Sequence, residues 1–243
     1  MKTVAIIQAR VGSTRLPGKV LKDLGGQTVL ARVLRRISRM RAVEEIIVAT
    51  TSEAADDPVV DEASRKGVLV YRGSTEDVLD RYYQAACVFN ADVIVRITAD
   101  CPLIDPEISD RVIRKFLEVR PDYASNTLER TYPRGLDTEV ASFSTLKRAW
   151  ENAREPYQRS HVMPYIYQNS TQFRLCSVKG LEDYSHHRWT LDTPEDLEFM
   201  RGVYAKLSRN EDFGWQDVLK IVERDPALRA INRNIRQKAL FEG

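Results

Sequence analysis

Short apolar runs alternate along the first half of the chain with stretches in which apolar positions recur every three or four residues. The runs at 4–8, 46–50, 69–71 and 93–98 predict buried strands, each bounded by polar or turn-forming residues. Between the first two, Thr28 predicts an N-cap, and Val29, Leu30, Val33, Leu34, Ile37 and Met40 then share one helical face. Arg32, Arg35, Arg36 and Arg39 fall mostly on the other face, as a solvated surface would have them. Asp57-Pro58 and Asp105-Pro106 each read as an N-cap with proline at the first helical position. Ser74-Thr75-Glu76-Asp77 reads as a capping sequence ahead of a helix over 78–89. Strands alternating with amphipathic helices predict an α/β fold built on a mostly parallel sheet.

After about residue 123 the pattern changes. Residues 126–138 are polar and turn-rich, 139–142 predict a strand, and Ser144 predicts the cap of a helix through Ala153. A helix follows Pro156, and 173–178 predict another strand. Thr193-Pro194-Glu195-Asp196 opens a helix to about Leu207, and the chain beyond Phe213 reads as helical, with Asp225-Pro226 as a further start. No repeat, low-complexity tract or flexible linker interrupts this. The expectation is a single domain over 1–243, with an embedded subregion at about 125–180 and a helical C-terminal segment from about 213.

Charge changes this picture little. The 37 basic and 35 acidic residues nearly balance, so neither nucleic acid nor an anionic membrane is an expected partner. Arginines outnumber lysines, 27 to 10, a bias that suits oxyanion recognition. Cys87, Cys101 and Cys176 are odd in number and widely spaced, unlike a disulfide framework or a zinc site. With no apolar run of membrane-spanning length and no signal peptide ahead of the first strand, a soluble cytoplasmic protein is expected.

The candidate chemistry begins where the first strand ends. Ala9-Arg10-Val11-Gly12-Ser13-Thr14-Arg15-Leu16-Pro17-Gly18-Lys19 holds three cations, two hydroxyls and two glycines. Glycines let backbone N–H groups close on an anion, arginines offer planar forks to phosphate oxygens, and a lysine adds a compact charge. The loop suits a polyphosphate. It is not a Walker A loop: five residues separate Gly12 from Gly18, and Val20 stands where the Mg²⁺-binding hydroxyl belongs. Asp100 lies just past the strand at 93–98, on the sheet edge where open α/β folds bind ligands. Asp192 repeats that placement ahead of a capped helix. Two such carboxylates facing a triphosphate loop could share Mg²⁺, which is commonly held by one or two carboxylates plus phosphates. An Asp-x-Asp motif of the glycosyltransferase kind is absent from these strand ends.

Together these segments resemble the cytidylyltransferases that activate acidic sugars, namely the 3-deoxy-manno-octulosonate and acylneuraminate enzymes and, most closely, the spore-coat polysaccharide branch. The resemblance rests on the run Ala9–Lys19, on Asp100-x-Pro-Leu-Ile and on Asp192-Thr-Pro-Glu-Asp-Leu, and it spans almost the whole chain. Arg72-Gly73-Ser74, Asp77-Val78-Leu79, Arg81-Tyr82, Pro133-Arg134-Gly135-Leu136-Asp137 and His161-Val162 point to the spore-coat branch. It implies a Rossmann-like nucleotidyltransferase fold, with helices on both faces of the sheet and a small α+β subregion for sugar binding and dimerisation. Arg10, Gly12, Ser13, Arg15, Lys19 and Arg81 would bind CTP, Asp100 and Asp192 would ligate Mg²⁺, and a homodimer is implied. The catalytic group would be Arg10, Arg15, Lys19, Asp100 and Asp192. For the carboxylate of an acidic sugar Arg134 is the first candidate, with Gly135 permitting close approach. Asp137 and Glu139 could accept from sugar hydroxyls, and Arg159, His161 and Arg188 are second choices. Where the family carries a glutamate this chain has Ser160. A nucleotidyltransferase using another NTP or sugar, and a non-enzymatic nucleotide-binding protein, remain open alternatives.

Overall fold

The computed structural model describes residues 1–207 and 212–242. Seven strands form one sheet: β1 (Thr3–Gln8), β2 (Glu45–Thr51), β3 (Leu69–Gly73), β4 (Val93–Thr98), β5 (Tyr123–Ser125), β6 (Glu139–Ser142) and β7 (Leu175–Ser177). Their order is β3-β2-β1-β4-β6-β5-β7. β1 pairs in parallel with β2 on one side and β4 on the other, whereas β6 runs antiparallel to both β4 and β5. β1 is buried along nearly its whole length, as a parallel strand covered on both faces must be.

The period-two alternation divides the core. Ala5 and Ile7 pack with Leu30, Val33 and Ile37 of α1 (Val29–Ile37), Val59 and Ala63 of α2 (Asp57–Arg65), and Ile113 and Phe116 of α4 (Pro106–Val119). Val4 and Ile6 pack on the other face with Leu79, Tyr82 and Ala86 of α3 (Val78–Val88), with Leu146 and Ala149 of α5 (Phe143–Asn152), and with Ile166 of α7 (Pro164–Gln168). α6 (Pro156–His161) lies between α5 and α7 in the chain. A third cluster gathers α8 (Pro194–Lys206), α9 (Trp215–Arg224) and α10 (Pro226–Ala230) around Trp189, Leu191 and Leu103. The chain runs up β1 and outward to β2 and β3, then crosses back to β4. The switch point between β1 and β4 is therefore the crevice where such sheets bind ligands.

Several local expectations need correction. Asp56, not Asp57, occupies the cap position of α2, and its carboxylate makes no capping bond. It accepts instead from Val11 N at 2.6 Å and from the Thr51 hydroxyl, tying the β1 loop to β2. Ser142, not Ser144, caps α5, because it has the extended backbone (φ −71°, ψ 156°) that aims its oxygen at Thr145 N. The first helix stops at Ile37, short of Met40. β7 is confined to three residues, and β5 and α7 had no counterpart among the expected elements.

Candidate active site

The loop after β1 turns on Gly18, whose φ of +65° favours glycine, and delivers Lys19 into a 3₁₀ turn, Lys19–Leu21. Gly18 N donates to Val11 O at 3.0 Å, and the Ser13 hydroxyl accepts from Leu16 N at 3.3 Å. Gly12 and Arg10 are exposed on its outer side. Val20, whose side chain is buried, anchors the turn in the core and leaves Lys19 facing the crevice.

There the two aspartates meet. Lys19 Nζ donates to Asp100 Oδ2 at 2.7 Å and to Asp192 Oδ1 at 2.9 Å. Arg15 Nη2 lies 3.2 Å from the same Asp192 oxygen. Thr98, the last residue of β4, donates its hydroxyl to Asp100 Oδ1 at 2.6 Å, and Leu191 N donates to Asp100 O at 2.8 Å, joining the two aspartate loops. Burial works against the Asp100 charge, but the ammonium of Lys19 and the Thr98 hydroxyl outweigh it and hold the pKa at about 2. Burial works against the Lys19 charge as well, but Asp100 and Asp192 outweigh it and raise its pKa above the ordinary value. The cluster sets one ammonium between two acidic side chains.

That arrangement is a cation position built by two acids, one just past β4 and the other, contrary to the strand end expected for it, on the loop ahead of α8. Among the described residues no group of three or more His, Cys, Asp or Glu side chains could hold a metal. Asp100 and Asp192 therefore suit an ion that takes its remaining ligands from phosphate and water, which fits Mg²⁺.

Arg10 points to the opposite side, where Nη1 reaches Thr75 O at 3.4 Å. Arg81, on α3, is 1 % exposed. Its Nη1 donates to Ser74 O at 3.2 Å and its Nε has no partner. Burial, then the nearby Arg10, lowers its pKa, so an anion beside the two guanidinium groups would relieve both. The loop thus carries cations from Arg81 and Arg10 at one end to Arg15 and Lys19 at the other.

The expected sugar-binding residues divide differently. Arg134 makes no side-chain hydrogen bond or ion pair among the described residues. Burial first, then the charges of Arg130 and Arg188, lower its pKa against the opposing pull of Asp137. Asp137 is taken by Arg130 in a fork of 2.5 and 2.8 Å. Glu139 is gripped by Arg96 and by the Tyr123 hydroxyl at 2.6 Å. Arg159 spans Asp77 Oδ2, at 2.9 Å from its Nε, and Trp150 O at 2.7 Å, fastening α6 to the start of α3. His161 has a buried Nε2 without a partner, and burial, then Arg96, lowers its pKa. Val162, which ends its helix, has φ +72°, a strained value for a β-branched residue. Gly135 serves the fold rather than a ligand: a Cβ there would lie 2.1 Å from Trp189 O. A cavity of about 750 Å³ between α4 and α9 is lined by Arg111, Tyr132, Tyr184 and Trp215, and by none of these site residues.

A family profile described as Cytidylyltransferase matches residues 4–220. The chain belongs to the cytidylyltransferase family. It is a nucleotidyltransferase by descent. An uncharacterized protein of Methanocaldococcus jannaschii is 39% identical over 247 residues, covering 100% of this chain and 99% of the relative. The spore coat polysaccharide biosynthesis protein SpsF of Bacillus subtilis is 32% identical over 228 residues, covering 91% and 94%. A solved cytidylyltransferase from Leptospira borgpetersenii superposes with a TM-score of 0.91 at 36% identity, covering 98% of this chain and 100% of that one.

Asp56, Arg130, Arg96 and Arg188 are site-shaping residues of this cytidylyltransferase that the sequence left out or placed in another role. Their partners, Val11, Asp137, Glu139 and Asp192, were all in view, but nothing in the spacing pairs them. No helix among the described residues is long and apolar enough to cross a membrane.

Proposed function

We propose that the protein uses CTP and Mg²⁺ to activate an acidic, nonulosonic-acid-like sugar, yielding a CMP-sugar and pyrophosphate for surface glycan synthesis. The sugar's anomeric hydroxyl bonds to the α-phosphorus as the bond to the pyrophosphate oxygen breaks, and the hydroxyl proton passes to solvent. The observation that carries this reading is the Lys19 ammonium held between Asp100 and Asp192 at the end of the phosphate-type loop.

Arg10, Ser13, Arg15 and Lys19 bind and orient the triphosphate, so that much of the rate arises from positioning and from charges set in place beforehand. Asp100 and Asp192 hold Mg²⁺, which supplies Lewis-acid neutralisation of phosphate charge when bound. Lys19 and Arg15 offset the charge on the departing pyrophosphate, and Arg81 with Arg10 closes the far end of the nucleotide. Arg134, whose side chain makes no hydrogen bond or ion pair among the described residues, receives the sugar carboxylate; Arg130 and Arg188 beside it add to the attraction. Asp137 and Glu139 act through their ion pairs with Arg130 and Arg96, whereas Arg159 holds α6 against α3 through Asp77. His161, on α6, lies beside Arg96 and Glu139. The spore-coat name of the Bacillus relative supports a polysaccharide precursor as acceptor. A homodimer through the region 125–180 and a cytoplasmic location belong to the same reading.

Pyrophosphate release with each of the four NTPs, against acidic and neutral sugars, tests it. CTP with an acidic sugar should give the highest turnover, and Asp100→Asn and Asp192→Asn should each abolish it while leaving the fold intact. Full activity in both variants overturns the metal assignment, and turnover with neutral sugars alone overturns the acceptor class. Sedimentation equilibrium should give twice the chain mass.

A further inference from the structure

We propose that Arg188 and Asn232 are positioning residues that aim Asp192 at the cation site, and that the C-terminal segment completes the active centre in this way. The inference rests on the metal role proposed above for Asp192, and it concerns side chains which that role does not use.

The two oxygens of Asp192 face different partners. Oδ1 meets Lys19 and Arg15, and Oδ2 accepts from Arg188 Nη2 at 3.0 Å. Arg188 is itself gripped by Asp196, with Nε to Oδ1 and Nη2 to Oδ2 both at 2.9 Å. Asp196 is 0 % exposed and is the hub of the network. Its Oδ2 also accepts from the backbone N–H groups of Asp192 at 3.0 Å and Thr193 at 3.1 Å. One carboxylate therefore fixes both the main chain that carries Asp192 and the guanidinium that turns its side chain.

The remaining capacity of that hub is filled from the C-terminal segment. Asn232, 4 % exposed, directs Nδ2 to Asp196 Oδ1 at 2.9 Å and to Arg188 O at 3.0 Å, so that both amide hydrogens are committed. Gln237 Oε1 accepts from Arg188 Nη1 at 2.6 Å. Both residues lie past position 220, where the family match ends. The planar guanidinium meets Asp196 through Nε and Nη2 in a fixed fork while Nη2 also reaches Asp192; the compact, rotatable ammonium of a lysine does not reproduce that fork geometry. Partners of this kind fix ligand orientation, and their loss commonly weakens metal binding about 10- to 100-fold.

The test is Mn²⁺ binding to the CTP-loaded full-length protein, read by electron paramagnetic resonance, with CTP affinity measured separately in EDTA. Arg188→Lys and Asn232→Ala should each weaken Mn²⁺ binding about tenfold. CTP affinity in EDTA should stay within about twofold, an asymmetry that a general loss of structure would not produce. Gln237→Ala, at an exposed contact, should give a smaller loss in the same direction and keeps the test open if Asn232→Ala fails to fold. Wild-type Mn²⁺ affinity in folded Arg188→Lys overturns the inference. Asp192→Asn is the control: if it leaves Mn²⁺ binding intact, the metal assignment itself falls, whatever the other variants do.

Discussion

Gly135→Ala should be among the most damaging single-methyl changes in the molecule. Gly135 has φ +107° and sits where the main chain after Arg134 touches the main chain at Trp189. An added Cβ would lie 2.1 Å from Trp189 O, 2.4 Å from Trp189 C and 2.9 Å from Thr190 N. All three are backbone atoms, so no side chain can swing aside. The dihedral costs about 1–3 kcal/mol for a residue with a Cβ, and forcing the two segments apart costs about another 1–3 kcal/mol. Separation also strains the hydrogen bonds Trp189 N to Arg134 O (2.7 Å) and Arg134 N to His187 O (3.0 Å), each contributing about 1 kcal/mol. The expected loss is about 2–6 kcal/mol before either hydrogen bond is broken, a large share of the roughly 5–15 kcal/mol of a typical domain. Gly67→Ala is the internal control: its φ is +68° but nothing lies within 4 Å of the added carbon. That variant should lose only the dihedral cost, about 1 kcal/mol. Urea unfolding followed by tryptophan fluorescence measures both, and equal losses in the two variants would refute the contact argument.

Other outcomes follow from groups already placed. His187 is 6 % exposed, and burial, then His186 and Arg229, depress its pKa to about 4. The unfolded chain protonates it near 6.5, so its stabilising effect is complete above that pH. It is lost as pH falls toward 4, up to about 3 kcal/mol. His187→Gln should flatten the urea midpoint between those two pH values, and an unchanged slope counts against this account. Thr28 caps α1 by accepting from Ala31 N at 3.0 Å and also donates to Glu62 at 2.7 Å. Thr28→Ala should cost about 1–2 kcal/mol in thermal or urea unfolding, and Thr28→Ser much less. Lys19→Met removes a charge-assisted phosphate contact of about 1.5–3 kcal/mol, so CTP binding by calorimetry in EDTA should weaken about 10- to 100-fold; an unaltered dissociation constant would remove Lys19 from the nucleotide site.

Much of this architecture was open to reading from periodicity, and the exceptions share a cause. β1, β2 and β4 are continuous apolar runs because both of their faces are covered, so they announce themselves. β5 is Tyr-Ala-Ser, three residues with no period of their own, and exists because β6 and β7 flank it. Ser142 and Ser144 are equally good caps by composition, and the backbone leaving β6 chose between them. Lys19 and Asp100 were legible because their loops leave β1 and β4 at one edge of the sheet; Asp192, read as a strand end, instead sits on a loop ahead of α8 and is brought in by Lys19 and by Leu191 N bonding Asp100 O. The wall around Arg134 was not, since whether a carboxylate is free or paired depends on long-range partners. Arg130 and Arg96 engage Asp137 and Glu139 and leave Arg134 without a counterion among the described residues.

The ammonium of Lys19 has one more consequence, for handling the protein on the bench. Because the protein brings its own positive charge to Asp100 and Asp192, the resting crevice has little like-charge repulsion waiting for an ion to relieve it. Folds whose acidic centres depend on a bound ion come apart when a chelator strips it away. This one should come through EDTA dialysis with its melting temperature unchanged, so that purification without added divalent salts yields intact protein.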